Sequence, residues 1–165
     1  MFDPVQWFVN IPHEWAVFFL SMIPLTELRA SIPIGIEVYK MPWWQVWWIA
    51  VAGDFIPAVF ILLLMPVIHG WLVKRRILGE LLTKKLNHAE RVFSGKYSKY
   101  GVIALIIFVG IPLPFTGSWT GSLAAFIFNI PFKKSWPLIL AGVCMAAMLV
   151  TLITLFTGGT LRWLF

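Results

Sequence analysis

The feature that most constrains this chain is how far it runs without a charge. From Tyr100 to Phe132 no residue is formally charged, and none is from Ser135 to Leu161. From Met41 to Val73 the one exception is Asp54. About 20 consecutive apolar residues cross a hydrocarbon core about 30 Å thick, and each of these runs is longer than that. A soluble helix of such length needs a polar face, and none is visible here. Charged residues make up 12% of the 165 positions, against about 25% in an average soluble domain. The fold class expected is therefore an all-α integral membrane protein.

The net charge of +6 has one origin. Between Lys74 and Lys99 lie eight basic residues and two acidic ones, while the rest of the chain balances to zero. Between two hydrophobic segments such a patch reads as a cytoplasmic loop under the positive-inside rule, and nucleic acid is not expected as a partner. Leu78, Leu81, Leu82, Leu86, Ala89, Val92 and Phe93 recur at helical spacing within it. That pattern predicts an amphipathic helix over 77–93, lying on anionic lipid or serving as a solvated connector. Trp43, Trp44, Trp47 and Trp48 follow Met41-Pro42 and fit an aromatic belt at the membrane surface. Met1-Phe2-Asp3-Pro4 lacks the basic start of a secretory signal, so the first hydrophobic segment is expected to be retained.

Two halves of the chain repeat one another. Ile23-Pro24-Leu25 answers Ile111-Pro112-Leu113 at an offset of 88 residues. Pro42 answers Pro131, and Ala52-Gly53 answers Ala141-Gly142, each at an offset of 89. Three anchors at nearly constant offset predict a duplication within a single membrane domain, 1–165: repeat 1 over about 13–73, the basic linker over 74–99 and repeat 2 over about 100–161.

The first hydrophobic run of each half is too short to cross. His13 to Ile23 and Tyr100 to Ile111 are 11 and 12 residues long, about 17 Å of helix at 1.5 Å per residue. Pro24 and Pro33 interrupt the first copy, and Pro112 and Pro114 the second, because proline removes a helical N–H and clashes with the preceding turn. Gly117 and Gly121 loosen the second copy further. Each half is thus expected to be a re-entrant helical hairpin, over Val17–Tyr39 and Gly101–Phe128, followed by a transmembrane helix. The halves are then inverted repeats with both termini outside, and Lys133 and Lys134 fall on the side of the basic loop, as the positive-inside rule prefers. Four complete spans are the alternative.

Glu27, Arg29 and Asp54 are the ionisable residues expected deep in the protein, with Glu37 and Lys40 nearer the interface. A charge at the centre of a membrane helix costs about 2.5–3.5 kcal/mol, and such residues persist by facing a partner or a wet cavity. Glu27 is a candidate for carrying a coupling proton, and Arg29 for holding an anion through its guanidinium fork. An internal Glu–Arg or Asp–Arg pair that pins the hairpin is the structural alternative. In the second copy Thr116, Ser118 and Thr120 offer hydroxyls at the corresponding tip, as broken helices do in transporters. Gly117 and Gly121, followed by Ala124-Ala125, also read as a close helix-packing face.

Leu25-Thr26-Glu27-Leu28-Arg29-Ala30-Ser31-Ile32-Pro33, together with Ile111-Pro112-Leu113-Pro114-Phe115-Thr116-Gly117-Ser118-Trp119-Thr120-Gly121, resembles the small multidrug export proteins. These are small prokaryotic membrane proteins that look related to the DedA/VTT superfamily, and the likeness covers about 17–148. The resemblance implies two facing re-entrant hairpins, each followed by a span. It also implies proton-dependent transport, or flipping of polyprenyl-phosphate or other lipids, with Glu27 and Arg29 at the acidic and basic positions of the first motif. DedA-type second hairpins often carry arginines; this one has none.

The function expected is that of a small transporter-like protein. It would export or flip an amphipathic small molecule or lipid, coupled to protons or another ion, in the inner (plasma) membrane of a prokaryote. Membrane lipids and the transported molecule are the expected partners, and a bundle of 165 residues is thin enough to leave room for a homodimer. A membrane scaffold or assembly factor without transport is the alternative. No HExxH motif, metal-ligand cluster or Ser/His/Asp set supports an enzyme, and no cofactor or metal is expected.

Overall fold

The computed structural model describes residues 11–73, 98–112, 117–128 and 130–164. Among them there is no strand, and six helices make the fold: α1 (His13–Met22), α2 (Glu27–Pro33), α3 (Trp43–Val73), α4 (Ser98–Gly110), α5 (Ser118–Ile127) and α6 (Phe132–Leu164). A π-helical turn, Ile34–Val38, continues α2 beyond Pro33. The helix expected over 77–93 lies outside the described residues.

Within α3 and α6, Trp43–Val67 and Phe132–Gly158 are apolar enough to cross a membrane, with 25 and 27 residues respectively. At 1.5 Å per residue both exceed the hydrocarbon core of about 30 Å. The described residues form an all-helical fold built on these two candidate membrane-spanning helices. Trp43, Trp44 and Trp48 are exposed where α3 begins, as an interfacial belt requires.

The short helices break where proline demands it. Ile23 is extended (φ −78°, ψ 129°) and ends α1, because the ring of Pro24 disfavours helical geometry in the residue before it. The Thr26 hydroxyl donates back to the Leu20 and Ile23 carbonyls, closing acceptors that the end of a helix leaves open. The Ser21 hydroxyl reaches the Ser31 hydroxyl at 2.9 Å, tying α1 to α2. At the other end of this pair, His13 stacks on Tyr39 with ring centroids 4.4 Å apart. The beginning of α1 and the end of the π turn therefore lie together.

Glycines set how closely the short helices approach the long ones. A Cβ on Gly53 would lie 2.5 Å from the Phe18 carbonyl oxygen and 3.0 Å from the Ser21 Cβ, so the last turns of α1 rest on the middle of α3. A Cβ on Gly142 would lie 3.0 Å from the Ile106 carbonyl oxygen and 2.7 Å from the Val109 Cβ, seating α4 on α6 in the same way. Gly53 and Gly142 are 89 residues apart, and Phe18 and Ile106 are 88 apart. One contact is built twice, at the offsets by which the sequence repeats. Small residues are the usual means of close helix packing in lipid, where apolar burial between helices supplies no drive.

These contacts generate a prediction. Gly53→Val forces a side chain against main chain, which cannot move aside, and should lower stability by about 1–3 kcal/mol. Ala52→Val, one position away and exposed, should leave it unchanged. Thermal unfolding of the purified protein in detergent checks both.

Candidate functional site

Two helix breaks converge on one buried acid. Asp54 lies near the middle of the α3 span and is 2% exposed. Ser118, the first residue of α5, shares its hydroxyl proton between the Asp54 carboxyl oxygen Oδ1 at 2.9 Å and the Asp54 carbonyl at 3.0 Å. A buried carboxyl without a donor would be costly, and Ser118 supplies one from the other half of the chain.

Glu27 arrives from the first half. It opens α2 and is 6% exposed. A Cβ on Gly117 would overlap its carboxyl group, so the bare Cα lets Glu27 lie directly against the start of α5. Gly117 is the N-cap of that helix, and a carboxyl at a helix N-terminus lies in the favourable field of the peptide dipoles. The Gly117 N–H itself donates to the Thr120 hydroxyl at 3.0 Å, half of a capping box. Glu27 reaches this seat with a left-handed backbone, φ 42°. That conformation costs a non-glycine residue about 1–2 kcal/mol, and strain of this kind concentrates at functional sites.

The Arg29 guanidinium lies 3.5 Å from the Glu27 carboxylate. Gly117 and Ser118 are consecutive, so the Glu27 carboxyl and the Asp54–Ser118 pair meet at the same helix start. Two carboxyl groups and one guanidinium thus gather about the start of α5. Arg29 also lines an open cavity of about 830 Å³ between α2, its π turn and the second half of α6.

Of the residues singled out in the sequence, Glu27, Arg29, Asp54 and Ser118 come together, with Gly117 as the seat between them. Thr120 turns its hydroxyl back onto the Gly117 N–H and carbonyl, at 3.0 and 3.2 Å, and so caps its own helix. Gly121 packs away from the acids, against Val109; the two glycines expected to form one face serve different contacts. From Ser118 onward the second tip is helical. Pro24 and Pro112 stand at the breaks, but Pro33, expected to interrupt the first copy, keeps helical angles and lets α2 run on into the π turn; Thr116 and Pro114 lie outside the described residues.

Glu37 and Lys40, expected only as interfacial residues, line the cavity together with Thr154, Thr157 and Gly158 of α6. A sign of the α6 contribution is present in the sequence, where Thr151, Thr154 and Thr157 recur every third residue through an otherwise apolar run. Among the described residues no three His, Cys, Asp or Glu side chains cluster as metal ligands.

The protein family described as "putative small multi-drug export protein" matches residues 27–149. The chain belongs to this family. The matched segment opens on Glu27 and takes in Arg29, Asp54, Gly117 and Ser118, so the whole central cluster lies within the family's span. No curated protein and no solved structure matches the chain significantly. The family description and the two apolar spans agree on a membrane protein of the export type.

Ser118→Ala should cost about 1–3 kcal/mol, because it leaves the buried Asp54 carboxyl without its donor. Combining it with Asp54→Asn in a double-mutant cycle should give a coupling of about 0.5–3 kcal/mol. Chemical unfolding in detergent measures it, and additive effects would break the pairing.

Proposed function

We propose that the protein is a small ion- or proton-coupled transporter that exports or flips an amphipathic small molecule or lipid. The observation that carries this is the meeting of Glu27, Arg29, Asp54 and Ser118 where two interrupted helices rest on the middle of the long ones. Ionisable groups so deep in a membrane protein mark substrate or ion pathways by default. Interrupted helices that face each other near the midplane are also how secondary transporters build their sites. Glu27 serves as the proton-linked group, Arg29 holds the negative part of the substrate, and the start of α5 forms the opposing half of the site.

In this proposal α1–α2 and α4–α5 are re-entrant hairpins and the two halves are inverted repeats. The stacking of His13 on Tyr39 supports a first hairpin that returns to the surface it left. The paired Gly53 and Gly142 contacts support the repeat. The protein sits in the inner membrane of a prokaryote with the basic segment 74–99 in the cytoplasm, where anionic lipid favours it. The resemblance to the small multidrug export proteins, which look related to the DedA/VTT superfamily, points to a lipid among the candidate cargoes, while the second hairpin's lack of arginines counts against a phosphate lipid.

Two experiments test this. In proteoliposomes carrying a pH gradient, Glu27→Gln and Arg29→Ala should each reduce flux of amphipathic fluorescent probes about tenfold or more, as loss of one charged contact implies. Wild-type flux from both would remove the site. Single cysteines at positions 3, 40, 133 and 162, introduced after replacing Cys144, should label from outside at 3, 40 and 162 and from the cytoplasm at 133. Labelling of 3 and 40 from opposite sides would establish full spans instead.

A further inference from the structure

The cavity beside the central cluster has a chemistry of its own. One wall is the first hairpin, contributing Arg29, Pro33, Glu37 and Lys40; the other is α6, and Pro112 of the second break also lines it. Arg29 sits at the inner end, where Glu27 meets Gly117, and Lys40 at the end of the π turn. Ten residues of largely helical wall lie between the two cations, at most about 16 Å at 1.5 Å per step, or half the hydrocarbon thickness.

Charge and polarity narrow the occupant. Arg29, Lys40 and Glu37 give the lining a formal charge of +1. Glu27, behind Arg29 and against Gly117, is not part of it. The Thr154 and Thr157 hydroxyls donate to the Val150 and Ile153 carbonyls of their own helix, both at 2.8 Å. The charged donors facing the cavity are therefore the two cations. Each meets a carboxylate at 3.5 Å. Between the cations the surface is Pro33, Pro112, Val150 and Ile153, and Ile153 is 56% exposed on the outside of the bundle. The cavity thus opens at the surface of the bundle. A volume of about 830 Å³ lies in the range of small-molecule sites, about 300–1,000 Å³.

We propose that this cavity binds an amphiphile with a single negative charge, whose head passes from Lys40 to Arg29 and there competes with Glu27 for the guanidinium, while its tail stays on the apolar wall. The outer end is gauged by Gly158. A Cβ there would overlap the Glu37 carboxyl, so the bare Cα leaves room for Glu37 to lie back against α6 and pair with Lys40. The assignment of cargo rests on the transport function proposed above, but binding can be measured without transport.

Dodecanoate, dodecyl phosphate and dodecyltrimethylammonium titrated calorimetrically into the full-length protein in neutral-lipid nanodiscs, against empty discs, test the proposal. Dodecanoate should bind at one site and the ammonium should not. Arg29→Gln should weaken dodecanoate about 10- to 100-fold, the worth of a charged hydrogen bond. Gly158→Leu, which fills the outer end and leaves Arg29 untouched, should also weaken it. Glu27→Gln should tighten it several-fold, because the competitor loses its charge; a purely structural Glu27–Arg29 pair predicts no gain. Three results would each overturn the proposal: the ammonium binding as well as dodecanoate, dodecyl phosphate binding more tightly than dodecanoate, or unchanged affinity in both Gly158→Leu and Glu27→Gln. Binding without flux would count against the transport function alone, and flux without binding against this cavity alone.

Discussion

An interrupted helix inside an apolar layer has polar groups that lipid cannot satisfy, and the rest of this structure follows from how they are met. Loop backbone at membrane depth is tolerated only where protein or a wet cavity covers it. Here the two halves of the chain meet at their interruptions, and the first half closes one helix end itself. Ser118 donates to Asp54, Glu27 lies on the bare Cα of Gly117, and Thr26 closes the end of α1. If either half were absent, the other would bury an acid or a helix end with too few partners, at a cost of several kcal/mol per group.

This mutual seating explains the left-handed backbone at Glu27. To place its carboxyl at the start of α5 the chain must turn within four residues of the end of α1. The Glu27 N–H still donates to the Ile23 carbonyl at 2.9 Å, so the turn keeps one helical hydrogen bond while changing direction. Lys40, with φ 53°, closes the π turn similarly, and the Met41 N–H reaches back to the Gly35 carbonyl at 3.0 Å. The two left-handed non-glycine residues among the described residues carry charge and flank the same stretch of wall. The π turn between them shifts the register of that wall, a feature frequent at functional sites.

Electrostatics and packing are coupled at the centre. Arg29 faces Glu27 on one side and the cavity on the other, so whatever occupies the cavity acts on the charge balance of the acids behind it. Removing one partner of a desolvated pair is costlier than never having the pair. The cluster is therefore expected to change as a unit rather than one residue at a time.

The sequence by itself determined the class of fold and the places where it breaks. Uncharged runs longer than a bilayer is thick admit little but membrane helices, and Pro24 and Pro112 forbid the helical hydrogen bonds that an unbroken span would need. It also marked Glu27, Arg29 and Asp54, because charge in such a setting is too expensive to be incidental. Only the tertiary structure decided which of the small polar residues belong to the site. Ser118 and Thr120 are alike in sequence, yet one serves Asp54 and the other its own helix end, since helical rotation points them differently. Gly117 and Gly121 divide in the same way, one against Glu27 and the other against Val109. The cavity was least legible, because its walls come from segments more than a hundred residues apart, and local pattern carries no information about which distant surfaces meet.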